Sequence, residues 1–101
     1  MNAKVRDRCR GALIGLAVGD ALGAAVEFKA PGTFKPVTGY RAGGPHGLKA
    51  GEWTDDTSMA LCIAVSLLQQ RGFDAKDIME RFCLWKDIGY LSSTGKCYSN
   101  Q

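Results

Sequence analysis

Apolar positions along the chain fall into three helical stretches and one long aperiodic one. Val5, Cys9, Ala12, Leu13 and Leu16 recur at i, i+4, i+7 spacing, which predicts a helix over residues 3–26. Gly11, Gly15, Gly19 and Gly23 recur every four residues in it and form one slowly drifting stripe. Each glycine costs about 0.5–1 kcal/mol against alanine. Tight packing of another backbone against the stripe is the expected compensation. A second helix is predicted over residues 55–71. Met59, Cys62, Ile63 and Leu67 form one face, and Leu61, Ala64, Val65 and Leu68 cover most of the rest. A helix apolar on nearly all sides is a buried helix. Thr54 or Asp55 can cap it, Asp55 and Asp56 sit at the positive end of its dipole, and Gly72 suits its C′ position. A third helix starts at Asp74, with Asp77 completing a capping-box-like spacing, and stops near Gly89. Its apolar stripe is Ala75, Ile78, Met79, Phe82 and Trp85.

Between Phe28 and Trp53 the periodicity collapses into turn signals: Pro31-Gly32, Pro36, Gly39, Gly43-Gly44-Pro45, Gly47 and Gly51. No convincing strand interrupts them. A segment this long is either a disordered connector or functional. Its place just ahead of an acidic helix start favours function. Residues 89–101 are polar and aperiodic. The expectation is an all-α fold, about three helices with a long Gly/Pro-rich loop, forming one domain over residues 1–101.

Composition narrows the function classes. At 101 residues, 46% hydrophobic and 23% charged, the chain is suited to one modest core. Thirteen Lys+Arg against 10 Asp+Glu leave a net charge of +3, concentrated at Lys4, Arg6, Arg8 and Arg10. That excess is too small to point to nucleic acid. Cys9, Cys62, Cys83 and Cys97 include no CxxC pair, and His46 is the single histidine, so a zinc finger or ribbon is close to excluded. Cys62 and Cys83 lie among helical apolar residues and read as core hydrophobes. Free thiols in a reducing cytoplasm are expected. The basic start and the apolar run over residues 11–19 superficially resemble a signal peptide. Asp20 and the glycines argue against that reading, and the run is short of the roughly 20 residues a membrane span needs.

Chemistry concentrates at Thr54, Asp55, Asp56 and Thr57, four hard oxygen donors in a row suited to Mg²⁺, Mn²⁺ or Ca²⁺. Ordinary N-capping uses the same residue types, and spacing alone favours the cap. Glu27 follows an apolar run just before the loop, where a helix C-terminus disfavours a carboxylate by about 0.3–1 kcal/mol. Asp20, an acid between Gly19 and Ala21, needs a hydrogen-bonded partner. Capping a neighbouring segment suits it better than catalysis. His46, between Pro45 and Gly47, reads most simply as a loop residue.

Taken in order, RGALIGLAVGDALG at 10–23, Glu27-Phe28, GEWTDDTSMAL at 51–61 and GYLSSTG at 89–95 resemble the amino-terminal third of the ADP-ribosylglycohydrolase family. The bacterial dinitrogenase-reductase-activating type is the branch they resemble most. The resemblance implies a partial version of an all-α orthogonal helical bundle. It implies removal of ADP-ribose from modified side chains, often arginine, with a pair of Mg²⁺ or Mn²⁺ ions. By it, Thr54, Asp55 and Asp56 match the first group of metal ligands. Glu27 matches the catalytic acid that approaches the metals and gates the substrate, and Gly95 falls in a substrate-binding segment. ADP-ribose or an ADP-ribosylated protein is the implied partner, with neither nucleic acid nor membrane.

Two departures qualify the resemblance. The family's second metal-ligand group, near its carboxyl end, has no counterpart, and Ser99 stands where the family usually has a catalytic Asp. The expectation is a truncated, split or decayed member whose helices leave apolar faces exposed for self-association or a complementing chain. Three functions stand open: a hydrolase completed by another chain, a non-catalytic ADP-ribose-binding or regulatory module, and a purely structural helical protein.

Overall fold

Helix boundaries follow local capping chemistry. In the computed structural model, which describes residues 2–97, Asn2 opens α1 (Ala3–Gly23) by accepting the Val5 N–H on its side chain at 2.9 Å. A 3-10 turn, Ala24–Val26, continues α1 to Glu27. The second helix, α2 (Asp55–Gln69), ends with Arg71 in the left-handed region at φ 58° and the Gly72 N–H bonded to the Leu67 carbonyl at 3.1 Å. This is a Schellman-type end. The left-handed residue is therefore Arg71, not the expected Gly72. The third helix, α3 (Ala75–Ile88), starts at Asp74, whose side chain accepts the Asp77 N–H, and ends at left-handed Gly89. Arg81 Nε donates to Asp77 at 2.7 Å, and that bond holds the Asp77 carboxyl below its ordinary range.

The described residues are all-α, with three helices, no strand and one isolated antiparallel bridge between Gly43 and Leu48. The second helix packs against both α1 and α3, which do not meet each other. Burial differs from the periodicity reading. The stripe that α2 buries is small and partly polar, Ser58, Cys62 and Ser66, while Ile63, Leu67 and Leu68 stay exposed. Cys62 is fully buried, and burial pushes its thiol pKa up; Cys83 is exposed, contrary to the core role expected for it. The glycine stripe of α1 is likewise open: a Cβ at Gly11, Gly15, Gly19 or Gly23 would meet nothing within 4 Å. No second backbone approaches there.

The result is thin and extended. Its extents are 44 × 35 × 20 Å and its radius of gyration 15.1 Å, against about 13 Å for a compact chain of this length. Its surface is 6850 Å², against about 5,500 Å² from area scaling. Large apolar side chains contribute to that surface: Ile14 is 62% exposed, Leu68 78% and Ile88 68%. Exposed apolar helix faces were expected, and they are present. Ala3–Val26 is also long and apolar enough to cross a membrane by length and composition alone. What ties it into this fold is the Asp20 carboxylate near its end. Residues 98–101, with Tyr98 and Ser99, lie outside the described residues.

Candidate functional site

The N-terminus of α2 is capped from outside. Thr54 occupies the N-cap position, yet its side chain makes no capping bond. Asp20 supplies the cap instead. Its Oδ2 accepts the N–H groups of Thr54 at 2.9 Å and Thr57 at 3.2 Å, and the Thr57 hydroxyl at 2.7 Å. Its Oδ1 accepts the Thr54 hydroxyl at 2.5 Å. Thr54 and Thr57 are each 1% exposed, so these bonds satisfy buried donors. The structural role expected for Asp20 is the observed one.

The same link builds a cleft. Asp20, Glu27, Thr54 and Asp56, with Gly19 and Gly23, line a space of about 250 Å³ where the end of α1 meets the start of α2. The Asp56 carboxyl is raised above its ordinary pKa, first by desolvation and then by the charges of Asp55 and Asp20. Asp55 does not line the cleft; it adds charge at its edge.

Hard oxygen donors and crowded negative charge are what Mg²⁺ or Mn²⁺ requires. Among the described residues, no three His, Cys, Asp or Glu side chains converge tightly enough to hold an ion by themselves. The Thr54 hydroxyl is also engaged by Asp20. The residues therefore fit a divalent cation in donor chemistry and charge, as part of a larger ligand set.

Glu27 meets a partner that the sequence reading passed over. His46 Nε2 lies 3.1 Å from Glu27 Oε2, with the two side chains 15% and 33% exposed. His46 in turn lines a second, polar cleft of about 480 Å³ with Lys49, Glu52, Ser93, Thr94 and Lys96. The two clefts are thus joined at the Glu27–His46 contact. The loop after α3 is fastened to the entry of α2. The Ser93 hydroxyl accepts from the Trp53 N–H at 3.1 Å and donates to the Trp53 carbonyl at 2.8 Å, and the Trp53 indole N–H donates to the Leu91 carbonyl. Gly95 lines neither cleft. It sits between lining residues Thr94 and Lys96, with its carbonyl where a Cβ at Gly89 would fall. A histidine in a loop rich in turn signals was the one available hint of the pairing.

The family profile for ADP-ribosylglycohydrolase matches residues 1–100. The chain is 46% identical to the ADP-ribosylarginine hydrolase Tri1 of Pseudomonas putida (strain GB-1), over 91% of this chain and 24% of that protein. It is 47% identical to the ADP-ribosyl-[dinitrogen reductase] glycohydrolase of Rhodospirillum rubrum, over 80% of this chain and 29% of that protein. A solved ADP-ribosylglycohydrolase-related protein complex superposes with a TM-score of 0.73 and 62% identity, over 78% of this chain and 28% of the other. The chain spans about a quarter of the length of the curated relatives it matches, and its helices are a partial version of that all-α fold.

Proposed function

The chain belongs to the ADP-ribosylglycohydrolase family, and from that premise we propose that it contributes one half of a site for metal-dependent hydrolysis of the N-glycosidic bond between ADP-ribose and a protein side chain, arginine first among them. The observation that carries this reading is the gathering of Asp20, Glu27, Thr54 and Asp56 around one cleft. Thr54, Asp55 and Asp56 are the residues that would hold Mg²⁺ or Mn²⁺, which when bound fixes the ribose hydroxyls. Bond cleavage builds positive charge on the ribose, and a carboxylate-lined cleft favours that charge. Glu27 directs or deprotonates the attacking water. The water oxygen joins the ribose carbon, and the side-chain nitrogen leaves with a proton. The exposed apolar faces of α1 and α2 suit self-association or a complementing chain that brings further ligands.

A second reading, a non-catalytic ADP-ribose-binding or regulatory module, is favoured by the absence of a tight three-residue ligand group among the described residues. Calorimetric titration of the chain with ADP-ribose, in Mg²⁺ and then in chelator, tests both. Binding that needs Mg²⁺ and disappears in the Asp55→Ala, Asp56→Ala double variant is expected for the half-site. Hydrolysis of ADP-ribosyl-arginine by that binding-competent chain then separates enzyme from module. Metal-independent binding, or binding that survives the double substitution, overturns the ligand assignment. No binding in either condition overturns the half-site.

A further inference from the structure

We infer that His46 is a positioning residue for Glu27: the imidazole holds the Glu27 carboxylate over the carboxylate-lined cleft. The inference rests on the functional reading above for its consequence, but on separate geometry for its substance. Glu27 follows the 3-10 turn at the end of α1, and an unrestrained glutamate there samples many rotamers. One of its oxygens, Oε2, is taken by His46 Nε2 at 3.1 Å. The other oxygen remains as a further acceptor of the same carboxylate.

His46 is itself held. It lies in the turn closed by the Gly43–Leu48 bridge, with bonds of 2.8 and 3.3 Å between their backbones, and by the Gly47 N–H to the Gly44 carbonyl at 3.2 Å. That turn is seated on the helix end that carries Glu27. Leu48 is buried against Ala24, and Gly44 lies so close to Ala24 and Ala25 that a Cβ would collide with their backbone. Backbone contact at Gly44, apolar contact at Leu48 and the side-chain bond at His46 all join the same two segments. A loop residue with this support orients its partner as the outer groups around a metal site orient the ligands.

The single histidine makes the test clean. Histidine-specific ¹⁵N labelling of the full chain yields one imidazole pair. The expected result is the Nε2–H tautomer, with an Nε2 resonance that moves in Glu27→Gln. An imidazole signal identical in the two proteins overturns the inference without reference to any activity. ADP-ribose titration in Mg²⁺ adds the consequence. His46→Gln keeps an N–H donor and is expected to bind like the parent, whereas His46→Leu is expected to bind about 10-fold more weakly or worse. Equal binding by His46→Leu, or equal loss in both variants, overturns the positioning role. If the parent chain fails to bind ADP-ribose, the functional reading falls, and the imidazole signal decides the pairing by itself.

Discussion

Asp20 accepts both the backbone N–H and the hydroxyl of Thr54, 34 residues further along the chain, at 2.9 and 2.5 Å. One carboxylate on α1 thereby caps α2 and shapes the cleft between them. Asp20→Ala leaves the buried donors of Thr54 and Thr57 without this acceptor. It should cost about 3 kcal/mol of stability, and Asp20→Asn about half as much, read by urea denaturation. A loss under about 0.5 kcal/mol for the alanine variant would show that water replaces the cap.

Gly44 adopts φ +79° with the backbone of Ala24 and Ala25 against it. Gly44→Ala should cost about 2 kcal/mol or more and shift the His46 imidazole resonance. An unshifted resonance would mean that the turn and the helix end are held together by other contacts.

Gly15 is the opposite case, a helical glycine with open space around it. Gly15→Ala should raise the thermal stability of the dilute chain by about 0.5–1 kcal/mol. If the substitution destabilises instead, and does so more at high protein concentration, another backbone lies on the stripe in solution.

Two carboxylates set opposite pH dependences. Asp77, held below its ordinary value of 3.8 chiefly by Arg81, contributes stability above that value and loses it as pH falls through the folded one. Asp56 is raised by desolvation and by its acidic neighbours, so the folded chain holds its proton more tightly than the unfolded one. Stability therefore falls as pH rises from 3.8 through the folded value. At neutral pH, Asp56→Asn should stabilise the chain by roughly 0.3 kcal/mol after solvent screening, and Mg²⁺ should raise the melting temperature of the parent more than that of the variant. A variant that melts lower than its parent without metal would remove the repulsion argument.

The helix limits were legible because their signals are local. Asp74 with Asp77 and the left-handed Gly89 each act within a few residues, and the expected and observed ends nearly coincide. Burial was not legible, because periodicity reports which face is apolar and not what covers it. The apolar flanks of α2 at Ile63, Leu67 and Leu68 are bare, while Ser58 and Ser66 are buried beside Cys62. The need of Asp20 for a partner could be read from its apolar surroundings; the identity of that partner, beyond a long aperiodic loop, could not. The Glu27–His46 pair was hidden for the same reason. It spans 19 residues, and only the tertiary seating of the turn on Ala24 brings the two together.

The unequal spacing of the three helices has a kinetic consequence. The second and third are separated only by residues 70–74, whereas 27–54 intervene between the end of the first helical segment and α2. Closing the short connection requires less chain ordering, and contacts between near neighbours in sequence form faster. The α2–α3 hairpin should therefore assemble first on refolding from denaturant, with α1 docking afterwards. The cleft draws residues from both sides of the longer closure, so it would be completed last. On a ribosome the emergence order is reversed, and the glycine-striped first helix must wait, uncovered, for the acidic turn that it caps.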